Sequence, residues 1–290
     1  MSDKSLPPNR ALAPGLYMVA TPIGAARDIT LRALDILATA DVLAAEDTRT
    51  LRHLMEIHGV ALNGRHVVPY HDHNGARALP RLLGDLREGK TVAYASEAGT
   101  PLISDPGFEL TRAARDEGLP VYAAPGASAV LYALTVAGLP TDRFLFAGFP
   151  PAAKGARMTF LKELAPLQAT LVLYESPNRI NQILDELVQS HGAGRYAAVC
   201  RELTKRFEEV KRGTLADLRD TFAGRDVKGE IVLVIDRGAM VRASAETVEQ
   251  ALVQAMAQMT VKDAATAVAE AFGLPRRDVY EMALRRGKDG

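Results

Sequence analysis

The chain has 290 residues, of which 48% are hydrophobic and 24% charged, values of a folded globular protein and not of a disordered or fibrous one. Thirty-five Lys plus Arg balance 35 Asp plus Glu, so no global field argues for a nucleic-acid or membrane partner, although a local basic face remains compatible. The single cysteine, Cys200, excludes an intrachain disulfide and a Cys-rich zinc site and fits a reducing, cytoplasmic compartment.

The length favours two domains with a small appendage. Residues 1–14 read as a flexible lead-in without the apolar core of a signal peptide, and no apolar run reaches the roughly 18 residues needed to span a membrane. Residues 16–20 form a short apolar run that stops at a Thr-Pro-Ile-Gly turn, as a strand would. A helical pattern follows, with Leu31, Leu34, Ile36 and Leu37 on one face and Asp28 or Thr30 as its cap. Strands are expected at 41–45, 66–69, 91–95 and 119–123, each separated from the next by a helical stretch. Strict alternation of nearly continuous apolar strands with helices predicts βαβ units and a mostly parallel sheet covered on both faces, over residues 15–125. Each polar or Gly/Pro cluster falls just after a strand, at the edge where open α/β sheets bind ligands.

Residues 127–138 read as a very apolar helix bridging into a second α/β domain, 126–238. Strands at 144–149, 169–174, 196–200, 207–212 and 231–235 are expected there, closely spaced around 196–212, which predicts a mixed sheet. Residues 243–290 are Ala-rich, with helices around 245–258 and 261–272, a Gly-Leu-Pro turn and a third helix. This is the outline of a helix-turn-helix-like module. Its end is modestly basic, with Arg276, Arg277, Arg285 and Arg286, either a nucleic-acid contact or a solvated helix face.

Three loops carry candidate chemistry. In Ser96–Pro101 (SEAGTP), Gly99 allows a close approach of ligand to backbone beside the Glu97 carboxylate; the alternative is a plain βα turn. Glu46, Asp47 and Arg49 are either an active-site network or a helix start favoured by the dipole. His71 and His73 flank Asp72, but no third ligand at a recognisable spacing supports a metal. There is no phosphate-binding G-x-x-x-x-G-K-[ST], no nucleophile elbow and no G-x-G-x-x-G after the first strand.

The ordered set TPIG (21–24), AEDTR (45–49), YHDHN (70–74), SEAGTPLISDPG (96–107), PGASA (125–129), GLPTDRF (138–144), YESPNR (174–179), RELTK (201–205) and KGE (228–230) resembles the tetrapyrrole methylase superfamily, the class III S-adenosylmethionine-dependent methyltransferases. AEDTR, YESPNR and RELTK resemble its small-subunit ribosomal RNA methyltransferase I branch, and the C-terminal segment is similar to that branch's helical appendage. The resemblance implies two α/β domains with S-adenosylmethionine in the cleft between them, and a homodimer. The reaction it implies is methylation of a cytidine ribose 2′-hydroxyl in the decoding region of small-subunit ribosomal RNA. Carried onto this chain, it places the cofactor against Ser96, Glu97, Ala98, Gly99, Thr100, Leu102, Ser128, Ala129 and Tyr174, with Glu230 in a closing loop. Glu97 stands where the family has Asp.

For the implied reaction, Glu46, Asp47, His71 and Asp72 are the candidate general bases, with Asp47 and Arg49 helping to form the active site. Lys154, Arg157, Arg179, Arg201, Lys205, Arg276, Arg277, Arg285 and Arg286 are the candidate RNA contacts. Two other functions remain open: a small-molecule methyltransferase of the same superfamily acting on a tetrapyrrole, and a non-catalytic RNA-binding assembly protein.

Overall fold

The computed structural model describes residues 12–71, 73–238 and 245–286, so most of the expected lead-in lies outside it. The chain divides into two compact units, Met1–Arg237 and Gly238–Gly290. The two expected α/β domains thus form one unit, each half with a sheet of its own.

The first half alternates as anticipated: β1 (Gly15–Val19), α1 (Leu31–Thr39), β2 (Val42–Ala45), α2 (Thr48–Ile57), β3 (Val67–Pro69), α3 (Gly75–Arg87), β4 (Thr91–Ala95), α4 (Phe108–Asp116) and β5 (Val121–Ala124). The sheet order is β3-β2-β4-β1-β5, and every pairing is parallel. Strand alternation sorts the side chains to two faces. Tyr17, Val19, Leu43, Ala45, Ala93 and Ala95 meet α1 and α2 through Ile36, Leu37, Leu51 and Met55. Leu16, Met18, Ala44, Val92 and Tyr94 meet α3 and α4 through Leu82, Leu86, Leu110 and Ala114. Of the two caps considered for α1, Thr30 is the one used, accepting from Ala33 N.

The second half holds α5 (Ala129–Ala137), β6 (Phe144–Phe146), α6 (Lys154–Leu164), β7 (Thr170–Glu175), α7 (Ile180–His191), β8 (Tyr196–Arg201), β9 (Glu209–Thr214), α8 (Leu215–Phe222) and β10 (Ile231–Ile235). Its order is β6-β7-β10-β8-β9, with β6 parallel to β7 and the remaining pairs antiparallel, a mixed sheet. Leu171, Leu173, Val199, Leu233 and Ile235 face α6, α7 and α8. The alternate residues Val172, Ala198, Cys200, Val232 and Val234 face α5 through Val130, Ala133, Leu134 and Ala137. Ile23 and Leu203 belong to this same cluster, so the turn after β1 packs against the second sheet.

The unit Gly238–Gly290 contains α9 (Ala245–Met256), α10 (Val261–Phe272) and α11 (Arg276–Arg286). Val248, Leu252, Ala264, Val268, Val279 and Ala283 make its core, whose small residues let short helices approach closely. Thr260 caps α10 and Gly273, at φ 61°, ends it in the left-handed conformation. Among the described residues no helix is long and apolar enough to cross a membrane.

Candidate functional site

Because the first sheet is wholly parallel, the ends of all its strands open on one edge. The turn after β1 and the turn after β4 are stitched there by a two-way bridge: Thr21 N donates to Gly99 O at 2.9 Å and Gly99 N to Thr21 O at 3.1 Å. Ser96 Oγ donates to Gly99 O at 2.6 Å, Thr21 Oγ1 to Ser96 O at 3.2 Å and Thr100 Oγ1 to Ala127 O at 3.0 Å. Gly99 sits at φ 85°, a conformation costly for any side-chain-bearing residue. Leu102 at φ 72° and Ser104 at φ 61° are also left-handed, so this loop holds its shape against local preference.

Beside this loop lies a cavity of about 320 Å³, within the range of small-molecule sites. One wall comes from the first half: Ala98–Thr100 and Ile103–Asp105, with Ile23. The other comes from the second half: Ser128 and Ala129 at the start of α5, Phe149, Tyr174 to Pro177 at the end of β7, and Gly229 to Val232 leading into β10. Tyr174 packs edge-on against Phe146 and Phe149, with ring centroids 4.8 and 5.4 Å away. Its phenol is pushed up to about 12, chiefly by burial and then by the charges of Asp105 and Glu230, so it stays protonated and can donate.

The Gly229 wall is held from behind. Gly229 has φ 90°, and a Cβ there would come within 2.4 Å of the Glu202 carboxyl. Glu202 Oε1 accepts from Glu230 N at 3.1 Å and from Lys205 Nζ at 3.0 Å, and Lys205 also reaches Glu230 Oε2 at 2.8 Å. Arg201 pairs with Glu209 at 3.1 Å and donates to Lys228 O. Lys205 and Arg201, expected to meet RNA, thus both brace the closing loop.

On the strand next to β4, the start of α2 after β2 carries a second polar group. Asp47 is its cap, its carboxylate accepting from Arg49 N at 2.7 Å, Thr50 N at 3.3 Å and the Arg49 guanidinium at 3.0 Å. The bonds from Arg49 hold the Asp47 carboxyl down to about 2. Glu46 Oε2 accepts from Glu97 N at 3.3 Å. Arg49 is held charged first by Asp47 and further by Glu97. Glu46, Asp47, Arg49 and Glu97 are therefore one cluster. His71 anchors the turn into α3, its N–H donating to Asn74 Oδ1, and its ring lies 6.1 Å from that of His73. Asp72 lies outside the described residues. No metal-binding group of three His, Cys, Asp or Glu is found among the described residues.

Of the residues expected at the cofactor, Ala98, Gly99, Thr100, Ser128, Ala129, Tyr174 and Glu230 line the cavity. Ser96, Glu97 and Leu102 do not: Ser96 ties its own turn, Glu97 faces the α2 cluster, and Leu102 packs into the core beside α3 and α4. Asp105, Phe149 and Glu175 line it without having been singled out. The signal for Asp105 and Glu175 was their place within SEAGTPLISDPG and YESPNR, whereas Phe149 carried none. Among the expected RNA contacts, Lys154, Arg276, Arg277 and Arg285 are exposed, with Arg277 paired to Glu281 at 3.1 Å. The side chain of Arg286 lies outside the description. Arg179 is engaged with Glu175. Arg157 is a correction: only 2% of its side chain is exposed, and it forms a two-pronged pair with Glu186 at 2.6 and 2.9 Å. A charge placed at the fourth residue of α6 faces inward there, because that turn packs on α7.

The two-sheet architecture is that of the tetrapyrrole methylases. A family model for tetrapyrrole (corrin/porphyrin) methylases matches residues 15–219, and one for the RsmI C-terminal HTH domain matches 242–287. The structure of uroporphyrin-III C-methyl transferase from Thermus thermophilus, complexed with S-adenosyl homocysteine, superposes with a TM-score of 0.54 at 21% identity, covering 77% of this chain and 97% of that one. Ribosomal RNA small subunit methyltransferase I of Mesorhizobium japonicum is 45% identical over 278 residues, 96% of this chain and 94% of that protein. Its counterpart in Halalkalibacterium halodurans is 41% identical over 274 residues, 92% and 93% of the two chains. The chain belongs to the tetrapyrrole methylase family, in the ribosomal RNA small subunit methyltransferase I group.

It is accordingly an S-adenosylmethionine-dependent methyltransferase. The cavity fits that cofactor. Asp105 and Glu230 give its wall an acidic character suited to a cation, Tyr174 and Phe149 offer aromatic surface, and the Ala98–Thr100 backbone is open to close approach.

Proposed function

We propose that the protein methylates the ribose 2′-hydroxyl of a cytidine in the decoding region of small-subunit ribosomal RNA, as a cytoplasmic homodimer, with S-adenosylmethionine held between the two sheets. The observation that carries this reading is likeness at 41–45% identity to proteins named for this RNA, extending over more than nine-tenths of both chains and so including the C-terminal helices.

When bound, the cofactor supplies a methyl group already activated on a sulfonium. The protein's work is then to position the two partners and to manage one proton. The Ala98–Thr100 turn and the Gly229–Glu230 loop hold the cofactor from two sides, while Tyr174 and Phe149 keep water from that wall. The acceptor ribose approaches along the open strand edge, past the α2 cluster. Asp47, with its carboxyl near 2, is a poor proton acceptor and instead caps α2 and orients Arg49 toward a phosphate of the RNA. Glu46, His71 and Asp72 remain the candidates for taking the hydroxyl proton. RNA affinity draws on Lys154, Arg276, Arg277 and Arg285.

The test is transfer of labelled methyl from S-adenosylmethionine to small ribosomal subunits from cells lacking this protein, followed by nucleoside separation. Label in 2′-O-methylcytidine is expected. Label absent from RNA, in a sample that binds the cofactor, would overturn the RNA reading and point to another acceptor such as a tetrapyrrole. Sedimentation of the purified protein at twice the chain mass tests the dimer.

A further inference from the structure

Residues 202–205 lead out of β8 and form a strap between the two walls of the cavity. On one side the strap closes onto the turn after β1. A Cβ at Gly24 would lie 2.6 Å from both Lys205 Cγ and Thr204 Oγ1 and 3.1 Å from Leu203 O, so the strap rests there on a residue without a side chain. Thr204 Oγ1 accepts from Ala25 N at 3.1 Å, and Leu203 packs in one cluster with Ile23, which lines the cavity. On the other side the Lys205 ammonium donates to Glu202 Oε1 at 3.0 Å and to Glu230 Oε2 at 2.8 Å, and Glu230 lines the second-half wall. Glu202 at φ 51° and Thr204 at φ 63° are left-handed without being glycine, so side-chain contacts hold the strap in a shape its backbone disfavours.

We infer that Lys205 is a positioning residue for cofactor binding, whose stem bears on the first-half turn beside Ile23 while its ammonium fixes the Glu202 and Glu230 carboxylates, so that it sets the spacing of the two walls; this rests on the cavity being the S-adenosylmethionine site. Lys205 does not line the cavity and acts through Glu230, which does. Its effect is pre-organisation: a Glu230 loop already held in place is not ordered at the expense of binding. S-adenosylmethionine and its demethylated product meet the same walls, so both depend on the strap. An ammonium shared between two carboxylates also has little charge left for a phosphate.

Lys205→Met tests this, because it keeps an unbranched stem against Gly24 and removes only the ammonium. Calorimetric titration is expected to show S-adenosylmethionine and S-adenosylhomocysteine both weakened by about tenfold. A lost hydrogen bond to a charged group is worth roughly ten- to a hundredfold, and the 73% exposure of the Glu230 side chain discounts it. Lys205→Arg is expected to restore most of the affinity. Turnover on small ribosomal subunits at saturating cofactor is expected to stay within about threefold of wild type, so the change falls in the KM for S-adenosylmethionine, and the salt slope of RNA binding is expected to be unchanged. Both ligands binding within about twofold of wild type overturns the inference, even if the variant melts lower. So does Lys205→Arg no better than Lys205→Met, or a loss of turnover at saturating cofactor. A salt slope shallower by about one overturns it too, since that marks Lys205 as a phosphate contact.

Should the variant not fold, amide hydrogen exchange of the wild type with and without S-adenosylhomocysteine reads the same linkage. Protection is expected to rise at Ala25 and across 202–205 together with Glu230. Protection confined to the segments that line the cavity overturns the inference. The titrations need no acceptor, so failure of the RNA reading leaves them intact. Wild-type protein that binds neither ligand overturns the reading of the cavity, and the inference with it, before any variant is made.

Discussion

Arg157→Met separates a buried structural cation from an RNA contact. In the native fold the guanidinium meets Glu186 in two bonds and donates to Pro151 O at 3.0 Å and Ala152 O at 2.6 Å, with side chains 2% and 3% exposed. Replacing it leaves an unpaired buried carboxylate and two carbonyls without a donor. Breaking such a pair costs about 3–5 kcal/mol. At about 2–4 °C per kcal/mol for a unit of this size, the melting temperature should fall by roughly 6–20 °C. The pair's contribution is also pH-dependent. The bond from Arg157 holds the Glu186 carboxyl below its ordinary value, so its stabilisation is full above the unfolded carboxylate pKa and is lost as pH falls through the lower folded one. The acid limb of a stability–pH curve should therefore flatten in Arg157→Met. The double variant Arg157→Met/Glu186→Leu should recover much of the loss, because an apolar pair of similar volume removes the orphaned charge. Calorimetric melts between pH 3 and 8, alongside RNA binding as a function of salt, read all of these. A melting temperature within about 2 °C of wild type, with a salt slope shallower by about one, would refute the reasoning and return Arg157 to the surface.

Asp47→Ala should cost about 0.5–2 kcal/mol of stability at neutral pH through the lost cap. Because the carboxyl is held near 2, that difference should persist above the unfolded value near 4 and vanish as pH falls toward 2, and the pH–rate profile between 5 and 8 should keep its shape. Loss of an inflection in that profile would show Asp47 acting as the base. Burial pulls the His191 imidazole down to about 4. The unfolded chain therefore binds a proton that the folded one refuses between about 6.5 and 4, and stability should decline over that window on acidification by about 1–3 kcal/mol. His191→Gln should level the decline, and an unchanged slope in chemical denaturation would refute this. Arg276→Ala/Arg277→Ala should leave S-adenosylmethionine affinity untouched and reduce the salt slope of RNA binding by about one to two. An unchanged slope would remove the C-terminal helices from the RNA interface.

The order of elements was legible in the sequence for a simple physical reason. Strands buried on both faces must be apolar throughout, and the turns that follow them must be polar or rich in Gly and Pro, so runs such as Thr91–Ala95 and the SEAGTP turn announce themselves. The tight spacing near 196–212 likewise betrayed the antiparallel hairpin of β8 and β9. The cap of α1 was narrowed to two residues, and only the backbone geometry chose Thr30 over Asp28. Sequence motifs also marked both halves of the cavity, through the Ala98–Thr100 turn, Tyr174 and Glu230.

What a linear reading could not decide was where each charge points. Arg157 and Lys154 lie one turn apart on α6, yet one is sealed against Glu186 and the other is in solvent, because the α6–α7 contact and not composition sets the buried face. Glu97 and Ala98 are neighbours, but the φ 85° turn at Gly99 sends one toward Arg49 and leaves the other in the cavity wall. Glu175 belonged to a recognised motif, but its burial against Arg179 exists only because β7 and the Arg179 turn close around it. The sequence alone settled the fold class and the family and marked loops that line the cavity. Tertiary packing alone settled which ionisable groups are committed to one another, since that depends on burial and on partners far along the chain, 29 residues away between Arg157 and Glu186 and 51 between Glu46 and Glu97.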